Sequence, residues 1–128
     1  MKLHLVLLLT LALVGCGGYG TKSNMPPQPG TTPTVSNLNP PSVVANSGQF
    51  SLVVTGTNFN GNAVVNFNGM AMTTTSGGTT KLTATIPNSA IATSGNVPVT
   101  VTNPGTPGGI YGGGTSPATS MAMTFMIN

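Results

Sequence analysis

The 128-residue sequence predicts an all-β fold over residues 33–128, two antiparallel sheets packed face to face as a sandwich. Three observations carry that expectation. Short runs recur in which apolar residues alternate with polar ones, mostly Thr, the two-residue period of a half-buried strand. Between them stand clusters of Gly, Pro and Asn that mark turns, in a chain with 18 Gly and 11 Pro. No stretch after the N-terminal run keeps a 3.6-residue period, and β-branched Thr and Val dominate where strands are expected.

The strands follow in order. "TVSNLN" (34–39) is a short first strand, ended by Pro40-Pro41. "QFSLVVTGTNF" (49–59) sets Phe50, Leu52 and Val54 on one face and Ser51, Val53 and Thr55 on the other, with Gly56 expected to turn the chain so that Phe59 caps the core. "AVVNF" (63–67) groups Ala63, Val65 and Phe67, then meets Asn68-Gly69 and continues as "MAMTTT" (70–75). Asn-Gly between two such runs signals a tight hairpin, because both residues tolerate positive φ. "TKLTATIP" (80–87) and "NVPVTVTN" (96–103) supply Leu82, Ala84, Ile86, Val97, Val99 and Val101 to the core. Pro98, which lacks an N–H, is expected at a strand entrance or an outward edge. "SMAMTFMIN" (120–128) closes the chain, with Met121, Met123, Phe125 and Ile127 expected on one face. Between Asn103 and Thr119 lies a Gly-rich stretch, either a floppy excursion or a functional loop, that carries Tyr111.

Two segments precede this body. "MKLH" and "LVLLLTLALV" form a basic start and an apolar run of about ten residues, the size of an export-signal core and well short of the roughly 20 a membrane-spanning helix needs. Residues 17–32, "GGYGTKSNMPPQPGTT", have no hydrophobic period and read as a Gly/Pro-rich linker spanning on the order of 20 Å.

Composition excludes more than it suggests. The chain has three Lys, one His and no Asp or Glu. Carboxylate acid–base pairs, glycosidase dyads and carboxylate calcium sites therefore have no residues to build them. One Cys and one His are too few for zinc. No enzyme activity, cofactor or metal is expected. Lys22 and Lys81 are too sparse to neutralise a row of phosphates, so nucleic acid is not an expected partner. The spacings Met70-x-Met72 and Met121-x-Met123 suit copper in principle, but a buried strand face needs the same spacing, and packing is the preferred reading.

Leu13-Val14-Gly15-Cys16 resembles the lipobox of bacterial lipoproteins, in which an aliphatic residue, a small or aliphatic one and Gly or Ala precede an obligatory Cys. The alternative is an ordinary secretory signal that carries a Cys near its end. The resemblance implies removal of residues 1–15, a diacylglycerol thioether on Cys16 and usually an acylated (often palmitoylated) amino terminus. Anchoring by two or three acyl chains is durable, since each buried CH₂ contributes about 0.8 kcal/mol. It also implies a membrane partner, a linker at residues 16–32 and, because Gly17 rather than Asp follows the Cys, an outer-membrane destination where the envelope has one.

The body resembles the TIG (or IPT) domain, an immunoglobulin-like fold. The landmarks are Pro33, Leu38 with Pro40, Gly56 with Asn58 and Phe59, Val65 with Phe67 and Gly69, Ile86 with Pro87, and Val101 with Asn103. This resemblance implies a non-catalytic module of the cell envelope that binds or spaces surface macromolecules, protein or glycan. Two other expectations stand beside it. A carbohydrate-binding module would use Tyr111 as its weak ligand-binding candidate. A self-assembling surface protein would pair edge strands between copies.

Overall fold

The computed structural model describes residues 25–128. It contains β1 (Thr34–Asn39), β2 (Ser42–Val43), β3 (Phe50–Thr57), β4 (Val64–Phe67), β5 (Met70–Ala71), β6 (Thr73–Ser76), β7 (Lys81–Ile86), β8 (Gly95–Asn103), β9 (Ala118–Thr119) and β10 (Met123–Ile127). A single 3-10 turn, Asn88–Ile91, buries Ile91 between β7 and β8. One sheet has the order β1-β3-β7-β6, and the other β2-β10-β8-β4-β5 with β9 also paired to β8. Pairing is antiparallel except between β10 and β2, which run parallel. The short β2 lies in the opposite sheet from β1, so the chain changes sheets at Pro40-Pro41.

The inward faces expected from alternation form the core. Leu52, Val54, Val65, Phe67, Leu82, Ala84, Ile86, Val99, Val101 and Phe125 are fully buried. Phe125 sits between two rings, stacked on Phe50 at 5.8 Å and edge-on to Phe67 at 5.4 Å. Both separations lie in the favourable range for aromatic pairs. Asn68 and Gly69 adopt φ of 53° and 80°, and Phe67 faces Met70 across them, so the two-residue hairpin forms as expected. Pro98 is exposed and paired with Thr124, in the first part of β8 that β4 does not flank.

Three local expectations need correction. Gly56 is not a turn residue; it lies inside β3, opposite Val35. A Cβ there would strike the Thr34 carbonyl oxygen and come within 2.6 Å of the Phe59 ring, so glycine is required for close approach rather than for bending. Asn58, at φ 61°, makes the turn, and Phe59 does cap the core at 2% exposure.

The run 70–75 is not one strand. Its first part pairs with β4, and its second crosses to pair with β7 in the other sheet. At the crossing the Met72 N–H donates to the Val65 carbonyl at 2.8 Å. The Thr74 hydroxyl accepts from the Val65 N–H at 3.0 Å, replacing the ladder partner lost when the chain leaves the sheet. Met72 is consequently buried while Met70 is 66% exposed.

The run 120–128 also breaks. Thr119 faces Thr102 and Met123 faces Val99, so four steps on one strand match three on the other. That extra residue is a β-bulge, and it inverts which side chains point inward. Ser120 is buried before it, Phe125 and Ile127 after it, and Met121 within it is 89% exposed.

Candidate functional site

The most elaborated region lies at the end of the sandwich where β1 begins and β8 ends. There the segment 25–32 runs beside the loop 104–117. Inside the loop, Thr106 and Thr115 exchange backbone hydrogen bonds at 3.0 and 3.1 Å, with their hydroxyls 3.1 Å apart. Further out, Gly109 and Gly112 exchange a second pair at 3.0 and 2.9 Å, leaving Ile110 and Tyr111 at the tip. Gly112, Gly113 and Gly114 all have φ near +85°, a run that side chains would disfavour.

Segment 25–32 forms the third strip of this ribbon. The Gln28 N–H donates to the Gly114 carbonyl at 3.0 Å, and the Ser116 N–H returns a bond to the Gln28 carbonyl at 2.8 Å. Gly113 N–H likewise donates to the Met25 carbonyl at 2.9 Å. Residues 25–32 of the expected linker are thus bound along the loop, and the loop is folded rather than floppy. Only Gly17–Asn24 separates Cys16 from the first described residue.

Asn103 holds the base of this region. Its side chain is 1% exposed; Nδ2 donates to the Thr31 and Asn58 carbonyls, each at 2.8 Å, and Oδ1 accepts from the Asn60 N–H at 3.0 Å. One amide therefore ties segment 25–32, the β3–β4 connection and the end of β8 together. No buried side-chain polar atom among the described residues lacks a partner.

Tyr111 is 65% exposed, beside Ile110 at 87% and Met25 at 58%. Among the described residues no other aromatic side chain accompanies it. Thr32, Pro33, Thr34, Val35 and Met121 line a shallow groove of ≈ 310 Å³ near the start of β1. A cleft of ≈ 350 Å³ at the opposite end is lined by amides and hydroxyls, including Asn68, Ser89, Thr93, Ser94 and Asn96. Neither groove holds a titratable side chain, so both offer hydrogen bonds and apolar contact only. Leu13, Val14, Gly15 and Cys16 lie outside the described residues, as do Tyr19 and Lys22. Among the described residues no group of His, Cys, Asp or Glu stands close enough to hold a metal ion, and no helix is long and apolar enough to cross a membrane.

With β1-β3-β7-β6 against β10-β8-β4, the strand order is that of an immunoglobulin-like sandwich, in which the first, second, fifth and fourth main strands face the third, sixth and seventh. That is the class of the domain. Residues 33–120 match the IPT/TIG domain, more than two thirds of the chain, and the chain belongs to that family. β10 lies beyond the matched span and completes the second sheet. Domains of this kind often mediate protein–protein or surface interactions. No significant match was found among curated proteins or among solved structures.

The sequence pointed to Tyr111 but not to Ile110 and Met25 beside it. It marked Asn103 only as a family landmark. The available signal was the pair Thr106 and Thr115 flanking a Gly-rich stretch, a short hairpin pattern hidden among glycines.

Proposed function

We propose that the protein is a non-catalytic, lipid-anchored component of the bacterial cell envelope, whose immunoglobulin-like domain binds or spaces other surface macromolecules. Leu13-Val14-Gly15-Cys16, placed directly after a ten-residue apolar run with a basic start, is the observation that carries this reading. In it, residues 1–15 are removed on export and Cys16 bears the lipid. Gly17 favours the outer membrane over the inner one. The lack of any Asp or Glu supports a binding or spacing role over catalysis, because no carboxylate is present to take or deliver a proton. A protein or glycan of the envelope is the partner.

Intact mass of the membrane-extracted protein tests the reading. The expected mass is that of residues 16–128 plus a diacylglycerol thioether and an N-terminal acyl chain. Cys16→Ser is expected to leave the signal uncleaved. An unmodified mature chain recovered in the soluble envelope fraction would refute the anchor.

A further inference from the structure

We infer that the tip formed by Ile110 and Tyr111, with Met25 beside it, is a membrane-contact element that seats this end of the sandwich on the lipid surface carrying the anchor. The inference rests on the reading of Cys16 as lipidated. Three of the large exposed apolar side chains gather here from two segments far apart in sequence. An aliphatic pair with one tyrosine is the composition of a membrane–water interface, where the ring lies among headgroups and its hydroxyl stays wet.

Backbone bonds at its base hold the tip in place. Gly109 and Gly112 satisfy each other, the Tyr111 carbonyl accepts from the Met25 N–H at 3.4 Å, and the Met25 carbonyl accepts from Gly113. Gly114 lets the chain pass close to Thr106 and Gly108, where a Cβ would strike backbone, and Ile110 and Tyr111 stand exposed at the tip.

Covalent attachment on this side limits how far the same end can stand from the lipid. Met25 is nine residues after Cys16, a separation that spans at most about 32 Å even when fully extended. Lys22 lies within that stretch, and no Asp or Glu anywhere in the sequence repels an anionic headgroup. The opposite end, where β8 begins at Gly95, stands a further ~26 Å away along β8. It remains free to meet other macromolecules.

The chain has no Trp, so Tyr111→Trp creates a single fluorescent reporter in the full lipidated protein. Val44→Trp, at an exposed position beside the far end of β10, is the matched control, and Ile110→Trp is a second reporter at the tip. Each protein is reconstituted into phosphatidylcholine/phosphatidylglycerol vesicles with brominated acyl chains. Emission from the tip reporters is expected to fall roughly twofold or more, because an interfacial ring lies within ~10 Å of the brominated carbons. Emission from the Val44→Trp protein is expected to stay unchanged. Unquenched tip emission in protein whose mass shows acylated Cys16 overturns the inference and leaves the anchor standing. A mass without acyl chains removes the anchor and the inference with it. Shielding of the tip reporter by peptidoglycan fragments, without quenching by brominated lipid, assigns the tip to a glycan and also overturns the inference.

Discussion

Replacing Asn103 probes how the body and the N-terminal segment are joined. Asn103→Ala removes three hydrogen bonds, two at 2.8 Å and one at 3.0 Å, from a side chain that is 1% exposed. Each contributes about 0.5–1.5 kcal/mol net, and a partner left buried and unpaired would cost more. Thr31, Asn58 and Asn60 are themselves exposed residues, so water reaches the stranded groups once the amide is gone. The expected loss is therefore about 2–3 kcal/mol, a fall in Tm of roughly 10–20 °C for a domain of this size. Asn103→Asp separates the hydrogen bonds from simple packing. It keeps the acceptor but points a carboxylate oxygen at the Thr31 and Asn58 carbonyls, and burial with carbonyl repulsion raises its folded pKa above the unfolded value of about 3.9. Between those two values the folded state binds more protons than the unfolded state, so stability falls as pH rises. The Asp variant is thus expected to be worst at pH 7 and to recover toward pH 4. The parent, lacking any Asp or Glu, is expected to keep a constant Tm from about pH 4 to 9. Circular-dichroism melts of all three proteins at pH 4 and 7 provide the measurement. An Ala variant within 3 °C of the parent, or an Asp variant indifferent to pH, would refute the clamp.

Other substitutions test the remaining structure. Gly56→Ala forces a methyl into the Thr34 carbonyl and the Phe59 ring, and is expected to cost more than about 3 kcal/mol by urea unfolding, since backbone is in the way. Phe125→Ala opens a cavity between Phe50 and Phe67 and is expected to cost about 3–5 kcal/mol, with a lower urea midpoint at unchanged slope. Met72→Ala and Met121→Ala should diverge sharply: about 2–5 kcal/mol for the buried first residue, and within about 0.5 kcal/mol for the exposed second. A loss at Met121 as large as that expected for Met72 would rule out the β-bulge.

The residues that kept the two-residue period were legible because burial itself produces that pattern. Leu82, Ala84 and Ile86 alternate with threonines and lie inward without exception. Asn68-Gly69 was legible because few dipeptides accept positive φ twice. Met70 and Met121 misled for a common reason. A period shows which residues share a face only while the strand stays in one register and one sheet, and the chain changes sheet after Met70 and gains a residue at Met121. Neither event leaves a mark in local composition. Ser42–Val43 escaped notice because two residues are too few to show any period.

Asn103 shows a different limit, and it changes how the N-terminal segment is understood. Its partners lie 72, 45 and 43 residues away, so no window of sequence contains the interaction. Read locally, "MPPQPGTT" is linker composition, and a linker of sixteen residues would let the domain swing freely above a membrane. Met25 and Gln28 are instead hydrogen-bonded to the loop and Thr31 is held by Asn103, and only residues 17–24 stand between Cys16 and the first described residue. On the proposed lipidation of Cys16, orientation is set by where the chain joins the body, and that junction lies beside the Ile110–Tyr111 tip rather than at the start of β1. Asn103→Ala should therefore do more than lower Tm. By releasing Thr31 it is expected to lengthen the tether and loosen the tip, so that protease cleavage between residues 25 and 32 accelerates well before the core unfolds. Cleavage that tracks global unfolding would show that the segment is held by the sandwich as a whole and not by this one amide.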